Sequence, residues 1–234
     1  IKNYHIVNTG YPLGSFNKFL YVFDTYKVFN YDLSDKFIFV DADSLCPVPA
    51  VVEMRNKNKD EVLANLSNDS LHHITMARQD NTYLVYVRAK GYIYKDTLIH
   101  IPNVAAELTY TIPLTALRKE MVLQLRNIQF DHNSSVLTPS SYAELDKLVK
   151  LMQDNPSMYI ELSAHTDDVG SEQYNLRLSQ QRGESARKYL IRKGVAAKRI
   201  IAKGYGKSKP LVPNDSDENR AINRRVEFTI NEIE

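Results

Sequence analysis

Acidic, basic and amide side chains occur in the second half of the chain in a pattern suited to binding a small ionic ligand. Asp167 lies in a loop that leads into a helical segment, and Arg182 lies on that segment. A carboxylate accepts hydrogen bonds from an ammonium group, and an arginine grips a carboxylate with two hydrogen bonds. Asp167 and Arg182 are therefore suited to holding an amino acid as a zwitterion, with Asn175 and Asn133 fixing its orientation. The alternative is that Asp167 and Arg182 form a surface ion pair, which contributes about 0–1 kcal/mol.

The spacing of these residues indicates how they come together. Asn175, Leu178 and Arg182 recur at i, i+3 and i+7, so on a helix they share one face. The NH groups at the start of such a helix favour an anion. Polar loops also follow the strand-like runs 121–130 and 158–164, and loops of this kind can converge on one rim of a sheet.

The second half alternates between strand and helix patterns, which predicts an α/β domain over residues 119–234. Thr138-Pro139 marks the start of the first helix, and Gly194 ends the second. The resulting β-α-β-α-β-β order is typical of a sheet of about four strands with helices packed on it. The strands are expected at 121–130, 158–164, 199–205 and 225–231, and the helices at 140–154 and 172–193.

The first half contains short β-prone runs. They are rich in tyrosine, valine, isoleucine and threonine and are separated by turn residues, as in Thr82–Arg88 followed by Gly91. This pattern predicts an all-β sandwich over residues 36–118. Residues 1–35 are an uncertain lead segment, which belongs either to the sandwich or to the end of an upstream domain. The chain begins with Ile1 instead of methionine, so we expect it to be processed or to be part of a longer protein.

The composition argues against several classes of protein. Of 234 residues, 43% are hydrophobic and 25% are charged, the balance of a globular chain. A formal net charge of +2 argues against strong electrostatic binding to nucleic acid. No apolar run approaches the roughly 18–20 residues that span a bilayer, so we expect no transmembrane segment. Cys46 stands alone, so a disulfide within the chain is impossible.

Catalytic and metal-binding hypotheses have weaker support. His165 lies near Asp167, but no serine or cysteine nucleophile sits in a recognisable elbow beside it, so we expect a structural histidine and no enzyme. The adjacent His72 and His73 point to opposite faces if they lie on a strand. Without paired cysteines or an HExxH motif, the sequence predicts no metal site. No phosphate-binding loop is present, so we predict no cofactor and assign the Gly204-Tyr205-Gly206 run to a turn.

Several short motifs of the second half occur in the order and at the spacing of a known family. They are Phe130-Asp131, His165-Thr166-Asp167 with Gly170, Tyr174-Asn175 with Leu178-Ser179 and Arg182, Gly204-Tyr205-Gly206, and Asn223-Arg224-Arg225-Val226-Glu227. From about Val122 to Ile230 the chain thus closely resembles the OmpA-like C-terminal domain. This family occurs in outer-membrane proteins, peptidoglycan-associated lipoproteins and flagellar stator proteins.

The resemblance implies a ligand and a set of binding residues. The family binds peptidoglycan non-covalently, through the diaminopimelate residue of the stem peptide. Its ligand-gripping aspartate and arginine fall on Asp167 and Arg182. Two positions depart from the family pattern, Ala164 in place of glycine and Gly183 in place of alanine, and neither change removes a ligand group. The supporting positions fall on His132, Asn133, Asn175, Leu178 and Arg224.

The first half resembles, on fewer residues, the carboxypeptidase-regulatory-like or transthyretin-like β-sandwich. The resemblance is carried by residues 39–42, 47–52 and 83–92. The pairing of such a sandwich with an OmpA-like domain resembles multidomain envelope proteins of Bacteroidetes. It implies a periplasmic, outer-membrane-associated location and contacts with peptidoglycan and other envelope proteins, with type IX secretion or gliding machinery as candidate partners.

Two other functions stay open at this point. The chain is expected to be a non-catalytic anchor whose sandwich is a spacer or protein-docking module. One alternative is an envelope enzyme that acts on peptidoglycan. The other is a carbohydrate-binding module in which some of the 15 tyrosines stack on sugar rings.

Overall fold

The computed structural model describes residues 32–57, 62–77, 80–104, 106–126, 128–130 and 134–233. Residues 1–31 of the predicted lead segment lie outside the described part of the chain. The predicted binding residues His132 and Asn133 lie outside it too.

Seven strands occupy the described part of the first half. They are β1 (Asp32–Asp41), β2 (Ala50–Asn56), β3 (Val62–Asp69), β4 (Leu71–Ala77), β5 (Asn81–Arg88), β6 (Lys95–Ile101) and β7 (Thr109–Leu114). One sheet has the order β4-β1-β7 and the other has the order β3-β2-β5-β6. Strand β1 pairs antiparallel with β4 and parallel with β7.

The two sheets share one hydrophobic core. Along β2, buried residues alternate with half-exposed ones, as expected for a strand with one face on a core. Phe37 and Phe39 of β1 and Met54 of β2 are fully buried in this core. Burial of each such side chain contributes about 1.5–3 kcal/mol, so these contacts are the main attraction between the sheets.

The β-prone runs predicted for the first half, at 36–41, 50–55, 82–88, 92–95, 97–101 and 107–112, do not include strands β3 and β4. Asparagine and aspartate recur in β3, and these residues are depleted in strands. Both strands lie at sheet edges, β3 beside the preceding strand β2 and β4 beside the more distant β1, so each has a neighbouring strand on one side only. The prediction for the histidine pair of β4 is confirmed, because His72 is buried with Nε2 3.0 Å from the Ala50 carbonyl oxygen, whereas His73 is exposed.

Strands and helices alternate in the described part of the second half. They are β8 (Val122–Leu125), α1 (Pro139–Asp154), β9 (Tyr159–His165), α2 (Glu172–Arg192), β10 (Ile200–Gly206), α3 (Asp217–Asn223) and β11 (Val226–Glu232). The sheet has the order β10-β9-β11-β8, with β9 parallel to β10 and β11 antiparallel to both of its neighbours. The predicted α/β architecture is confirmed, but the predicted order lacks α3.

The first strand of this sheet is shorter than predicted. The expected run 121–130 is a strand only from Val122 to Leu125. Leu125 pairs with Val226, which is the first residue of β11, so the sheet offers no partner strand beyond it. The chain then turns away, and Phe130 forms an isolated bridge with Leu137.

Both long helices form where the sequence predicts them. Pro139 is the first residue of α1 after the extended Thr138, and Leu145 and Met152 are fully buried on its inner face. Helix α2 begins after Ser171, whose hydroxyl accepts a hydrogen bond from the Tyr174 N–H at 3.2 Å. Both helices pack on one face of the sheet and enclose the second hydrophobic core.

The two halves contact each other along the C-terminal half of α1, where Lys147 Nζ lies 2.6 Å from Asp96 Oδ2. Asp154 Oδ2 accepts hydrogen bonds from the Tyr94 hydroxyl at 2.5 Å and from Arg88 Nη1 at 3.4 Å. Asn155 Oδ1 accepts one from the Gly91 N–H at 2.7 Å. Tyr94 also packs against the core of the second half. The sheets of the first half are therefore joined to α1 by both polar and apolar contacts.

Candidate functional site

The loop 166–170 connects β9 to α2 and carries Asp167 at the edge of the sheet. The Thr166 N–H donates to the Gly206 carbonyl at 2.9 Å, which ties the loop to the end of β10. Asp167 Oδ1 accepts a hydrogen bond from the Val169 N–H at 3.2 Å. The backbone of the loop therefore holds one oxygen of the Asp167 carboxylate and leaves the other free to meet a partner.

That second oxygen is paired with an arginine from α3. Asp167 Oδ2 accepts a hydrogen bond from Arg224 Nη1 at 2.8 Å. The Asp167 side chain is 14% exposed and that of Arg224 is 46% exposed. Arg224 is the C-cap residue of α3, so the end of this helix faces the loop. The ion pair of Asp167 is thus with Arg224 and not with Arg182.

Asp168, the next residue of the loop, is paired with the same helix. Arg220 Nε donates to Asp168 Oδ1 at 3.1 Å, and Arg220 Nη1 donates to Asp217 Oδ1 at 3.2 Å. The hydrogen bond with Asp168 raises the pKa of Arg220. Arg220 and Arg224 are one helical turn apart, so α3 contacts two consecutive carboxylates of the loop.

Arg182 projects from α2 near the same loop, with its side chain half-buried. Its Nε donates to the Ser134 carbonyl at 3.0 Å, and its Cζ lies 5.0 Å from the centre of the Phe130 ring. Burial lowers the pKa of Arg182, and nearby Arg224 lowers it further, whereas Asp167 opposes this. The guanidinium stays charged nonetheless. Among the described residues, no carboxylate forms an ion pair with Arg182.

The groups that hold Arg182 come from the segment before α1. Phe130 and Leu137 form a bridge that closes the base of a loop. Ser141, fully buried in the first turn of α1, donates to the Gln129 carbonyl at 2.9 Å and accepts from the Gln129 N–H at 2.8 Å. The start of α1 therefore fixes the backbone next to Phe130, and with it the ring on which Arg182 rests.

Asn175 and Leu178 share the α2 face of Arg182, as the spacing predicts, but both are buried. Asn175 is 2% exposed, and its Nδ2 donates to the Val169 carbonyl at 2.8 Å. Leu178 is 8% exposed. Asn175 therefore holds the loop that carries Asp167, a role that its position in the sequence does not indicate.

Strand β10 approaches α2 so closely that only glycine fits at one position. A Cβ on Gly204 would lie 2.2 Å from the backbone nitrogen of Gln180. The side chains of α2 use this proximity, because Gln180 Oε1 accepts from the Gly204 N–H and Ser179 Oγ accepts from the Gly206 N–H, both at 2.8 Å. The assignment of Gly204-Tyr205-Gly206 to a turn is thus wrong, because all three residues lie within β10, where Gly204 permits helix and strand to meet.

His165 ends β9 and is buried within a polar group of side chains. Its ring stacks on Tyr205, with 5.3 Å between ring centres. Its Nε2 lies 3.2 Å from Glu227 Oε1, yet neither ring nitrogen makes a well-oriented hydrogen bond to a described residue. Burial lowers the pKa of His165 to about 4, and Arg225 and Lys209 contribute to this while Glu227 opposes it. His165 is therefore neutral at pH 7, which fits a structural role.

The structure brings part of the predicted site together. Arg182 and Arg224 lie near Asp167 of the loop 166–170. Asn175 holds this loop through its hydrogen bond to the Val169 carbonyl. Sequence reasoning overlooked Asp168 and Arg220. The i, i+4 spacing of Arg220 and Arg224 is a signal for this pair, but it requires α3 to be recognised as a helix.

The charged side chains of the site are suited to binding a small organic ion. Two guanidinium groups and one carboxylate converge there, which matches a ligand carrying both an ammonium and a carboxylate. Among the described residues, no cluster of histidine, cysteine, aspartate and glutamate is arranged to hold a metal ion. In the same part of the chain, no helix is long and apolar enough to cross a membrane.

Comparison with known proteins identifies the domain that carries this site. Residues 129–224 match the model of the OmpA family. The matched segment includes the loop 166–170, Arg182 and Arg224. The C-terminal domain is OmpA-like. The matched residues do not include the sheets of the first half, so the resemblance of residues 36–118 to a β-sandwich family stays a prediction.

Relatives of the OmpA-like domain include proteins of the bacterial envelope. Outer membrane porin F of Pseudomonas fluorescens is 39% identical over 104 residues, which are 44% of this chain and 32% of that protein. Peptidoglycan-binding protein ArfA of Mycobacterium tuberculosis is 35% identical over 104 residues, again 44% of this chain and 32% of that protein. The solved structure of a putative MotB-like protein from Desulfovibrio vulgaris is 33% identical, covers 48% of this chain and 73% of its own, and has a TM-score of 0.44. The chain thus matches about a third of the length of these two curated relatives.

Proposed function

We propose that the OmpA-like domain binds peptidoglycan non-covalently by gripping the diaminopimelate residue of the stem peptide. The supporting observation is that one carboxylate, Asp167, lies with two guanidinium groups, Arg182 and Arg224, beside the loop 166–170. The free end of diaminopimelate carries an ammonium and a carboxylate on one carbon, so its charges complement these groups. A relative of the domain is named a peptidoglycan-binding protein, which is consistent with this ligand.

Each residue has a distinct role in this proposal. Asp167 accepts hydrogen bonds from the ligand ammonium, and Arg182 and Arg224 donate to the ligand carboxylate. Burial removes part of the water around the Arg182 guanidinium. A ligand carboxylate that binds there replaces the hydrogen bonds of the lost water. Asn175 and Leu178 shape the floor of the site. The resemblance adds His132 and Asn133 as contacts, and they stay a proposal.

We infer that residues 36–118 form a separate β-sandwich that acts as a spacer or docking module. Its polar contacts with the OmpA-like domain lie at Lys147, Asp154 and Asn155, in the C-terminal half of α1. The groups that hold Arg182 lie by the start of the same helix, which has 16 residues and is about 24 Å long. This separation supports two independent surfaces and argues against a composite binding site.

The wider role that we propose is that of an anchor. The chain attaches an outer-membrane or periplasmic assembly to the cell wall and does not catalyse a reaction. The partners are peptidoglycan and other envelope proteins, with the type IX secretion or gliding machinery of Bacteroidetes as candidates. These partners follow from the resemblance of the two domains and await their own test.

Sedimentation with purified sacculi tests the ligand. The Asp167→Ala and Arg182→Ala variants should each bind about tenfold to a hundredfold more weakly than the wild type, because a charge-assisted hydrogen bond contributes about 1.5–3 kcal/mol. Arg192→Ala is the matched control, because Arg192 is an exposed arginine on the same helix, ten residues beyond Arg182. It should bind as the wild type does.

The same experiment separates binding from catalysis. Soluble muropeptides released by the wild type, and no longer released by a His165→Ala variant, would show that the protein is an enzyme acting on peptidoglycan. Equal binding by the wild type and both site variants would show that the ligand does not use Asp167 or Arg182.

A further inference from the structure

Helix α3 holds the loop 166–170 through two neighbouring ion pairs. Arg224 Nη1 lies 2.8 Å from Asp167 Oδ2, and Arg220 Nε lies 3.1 Å from Asp168 Oδ1. We propose that the Asp168–Arg220 pair is a positioning device that keeps the Asp167 carboxylate in place for the ligand without touching the ligand itself. The proposal rests on the function proposed above for Asp167.

Helix α3 is suited to this role because the side chain of its last residue anchors its C-terminal end. Asn223 is fully buried, and its side chain makes four hydrogen bonds. Its Oδ1 accepts from the Leu211 and Val212 N–H groups at 2.8 and 3.2 Å, and its Nδ2 donates to the Val212 carbonyl and to Asn214 Oδ1, both at 2.9 Å. A helix of seven residues gains little stability from its own length, so these bonds hold α3 in place.

The charges of Arg220 and Arg182 are satisfied in different ways. Arg220 donates to two carboxylates, those of Asp168 and Asp217. Arg182 donates through Nε to the Ser134 carbonyl and, within the described part of the chain, has no carboxylate partner. Arg182 is thus prepared to receive an anion, whereas Arg220 already has its counterions. This difference assigns Arg220 to positioning.

The pair becomes most important when the ligand enters. A ligand ammonium that binds Asp167 must replace Arg224, and the loop then loses that connection to α3. The Asp168–Arg220 pair is the remaining side-chain bond between loop and helix in the described structure. Lys207 Nζ, 3.0 Å from the Gly170 carbonyl oxygen, holds the far end of the loop. The loop therefore keeps its position while Asp167 exchanges partners.

Sacculus sedimentation with Asp168→Asn, Arg220→Gln and the double variant tests this assignment. Each single variant should bind about two- to fivefold more weakly, the upper range for a partly exposed ion pair, with an unchanged melting temperature. The double variant should bind no more weakly than the weaker single one, because both changes remove the same pair. Arg220→Lys, which keeps the charge, should recover part of the loss.

The two single variants change the net charge in opposite directions, which separates positioning from long-range attraction. If Arg220 only attracts an anionic polymer, Arg220→Gln weakens binding and Asp168→Asn strengthens it. Opposite effects, or no effect in either variant, would overturn the positioning role. Arg192→Gln is the control for loss of a surface arginine. Absence of wild-type binding, or full binding by Asp167→Ala, would instead show that the proposed function is wrong.

Discussion

Replacement of His165 by glutamine should change how the stability of the OmpA-like domain depends on pH. His165 is 2% exposed at the end of β9, and burial lowers its pKa to about 4. Glu227, the nearest carboxylate, also receives a hydrogen bond from Arg225 at 3.0 Å, so its charge is already compensated. The native state therefore resists protonation of His165, whereas the unfolded chain takes up the proton near the usual pKa of about 6.5.

The sign and size of the effect follow from this difference. Between pH 6.5 and pH 4 the unfolded state binds more protons than the native state, so the free energy of unfolding falls as the pH is lowered. A shift of one pKa unit corresponds to about 1.4 kcal/mol, and from pH 7 to pH 5 the wild type should lose about 2 kcal/mol through His165. The His165→Gln variant lacks this titration and should lose about 2 kcal/mol less.

Urea unfolding at pH 7 and pH 5 measures the difference directly. Other groups titrate in both proteins, so the quantity of interest is the change in the free energy of unfolding of the wild type minus that of the variant. Equal changes in the two proteins would show that the His165 pKa is not lowered. A smaller loss in the wild type would show that protonated His165 pairs with Glu227 and stabilises the native state.

Three further measurements test the packing and the division of the chain. Gly183→Ala should raise the free energy of unfolding by about 0.5–1 kcal/mol, because its Cβ would lie 3.6 Å from Ala202 Cβ, an ordinary contact, and alanine favours a helix. Gly204→Ala should instead lower it by about 3 kcal/mol or more, because its Cβ would lie 2.2 Å from a backbone nitrogen of α2. Thermal unfolding of both variants gives the comparison, and equal melting temperatures would contradict the close approach of α2 and β10. The fragment 119–234 should bind sacculi about as well as the whole chain while melting at a lower temperature, and a loss of binding of tenfold or more would indicate a composite site.

The sequence was sufficient to predict the elements whose residues repeat in a regular pattern. Helix α1 extends over 139–154 and α2 over 172–192, each within one residue of the predicted bounds at either end. Both helices have an apolar face and a recognisable start, Thr138-Pro139 for the first. These signals are local, so a single sequence contains them in full.

Helix α3 was missed because its stability comes from elsewhere in the fold. Its sequence, DENRAIN, has one large apolar residue, Ile222, and that residue is exposed. The helix depends on the Ser216 cap and on the four hydrogen bonds of buried Asn223. The same limitation applies to the site, because Arg224 is 57 residues from Asp167 and no spacing rule connects them. Residue chemistry together with the family resemblance points to Asp167 and Arg182 as binding residues, whereas their partners in the structure depend on the fold.

If the site binds a ligand as proposed, the pairing of Asp167 with Arg224 also influences which ligand it accepts. An ammonium group that binds Asp167 releases Arg224. Binding therefore exchanges one partner of Asp167 for another, because this carboxylate already has a counterion. A ligand with an ammonium alone would leave both Arg224 and the half-buried Arg182 without a counterion, a cost that grows with burial. A carboxylate on the same carbon compensates the arginines in the same step. We therefore expect a ligand that carries both an ammonium and a carboxylate to bind more tightly than one that carries an ammonium alone.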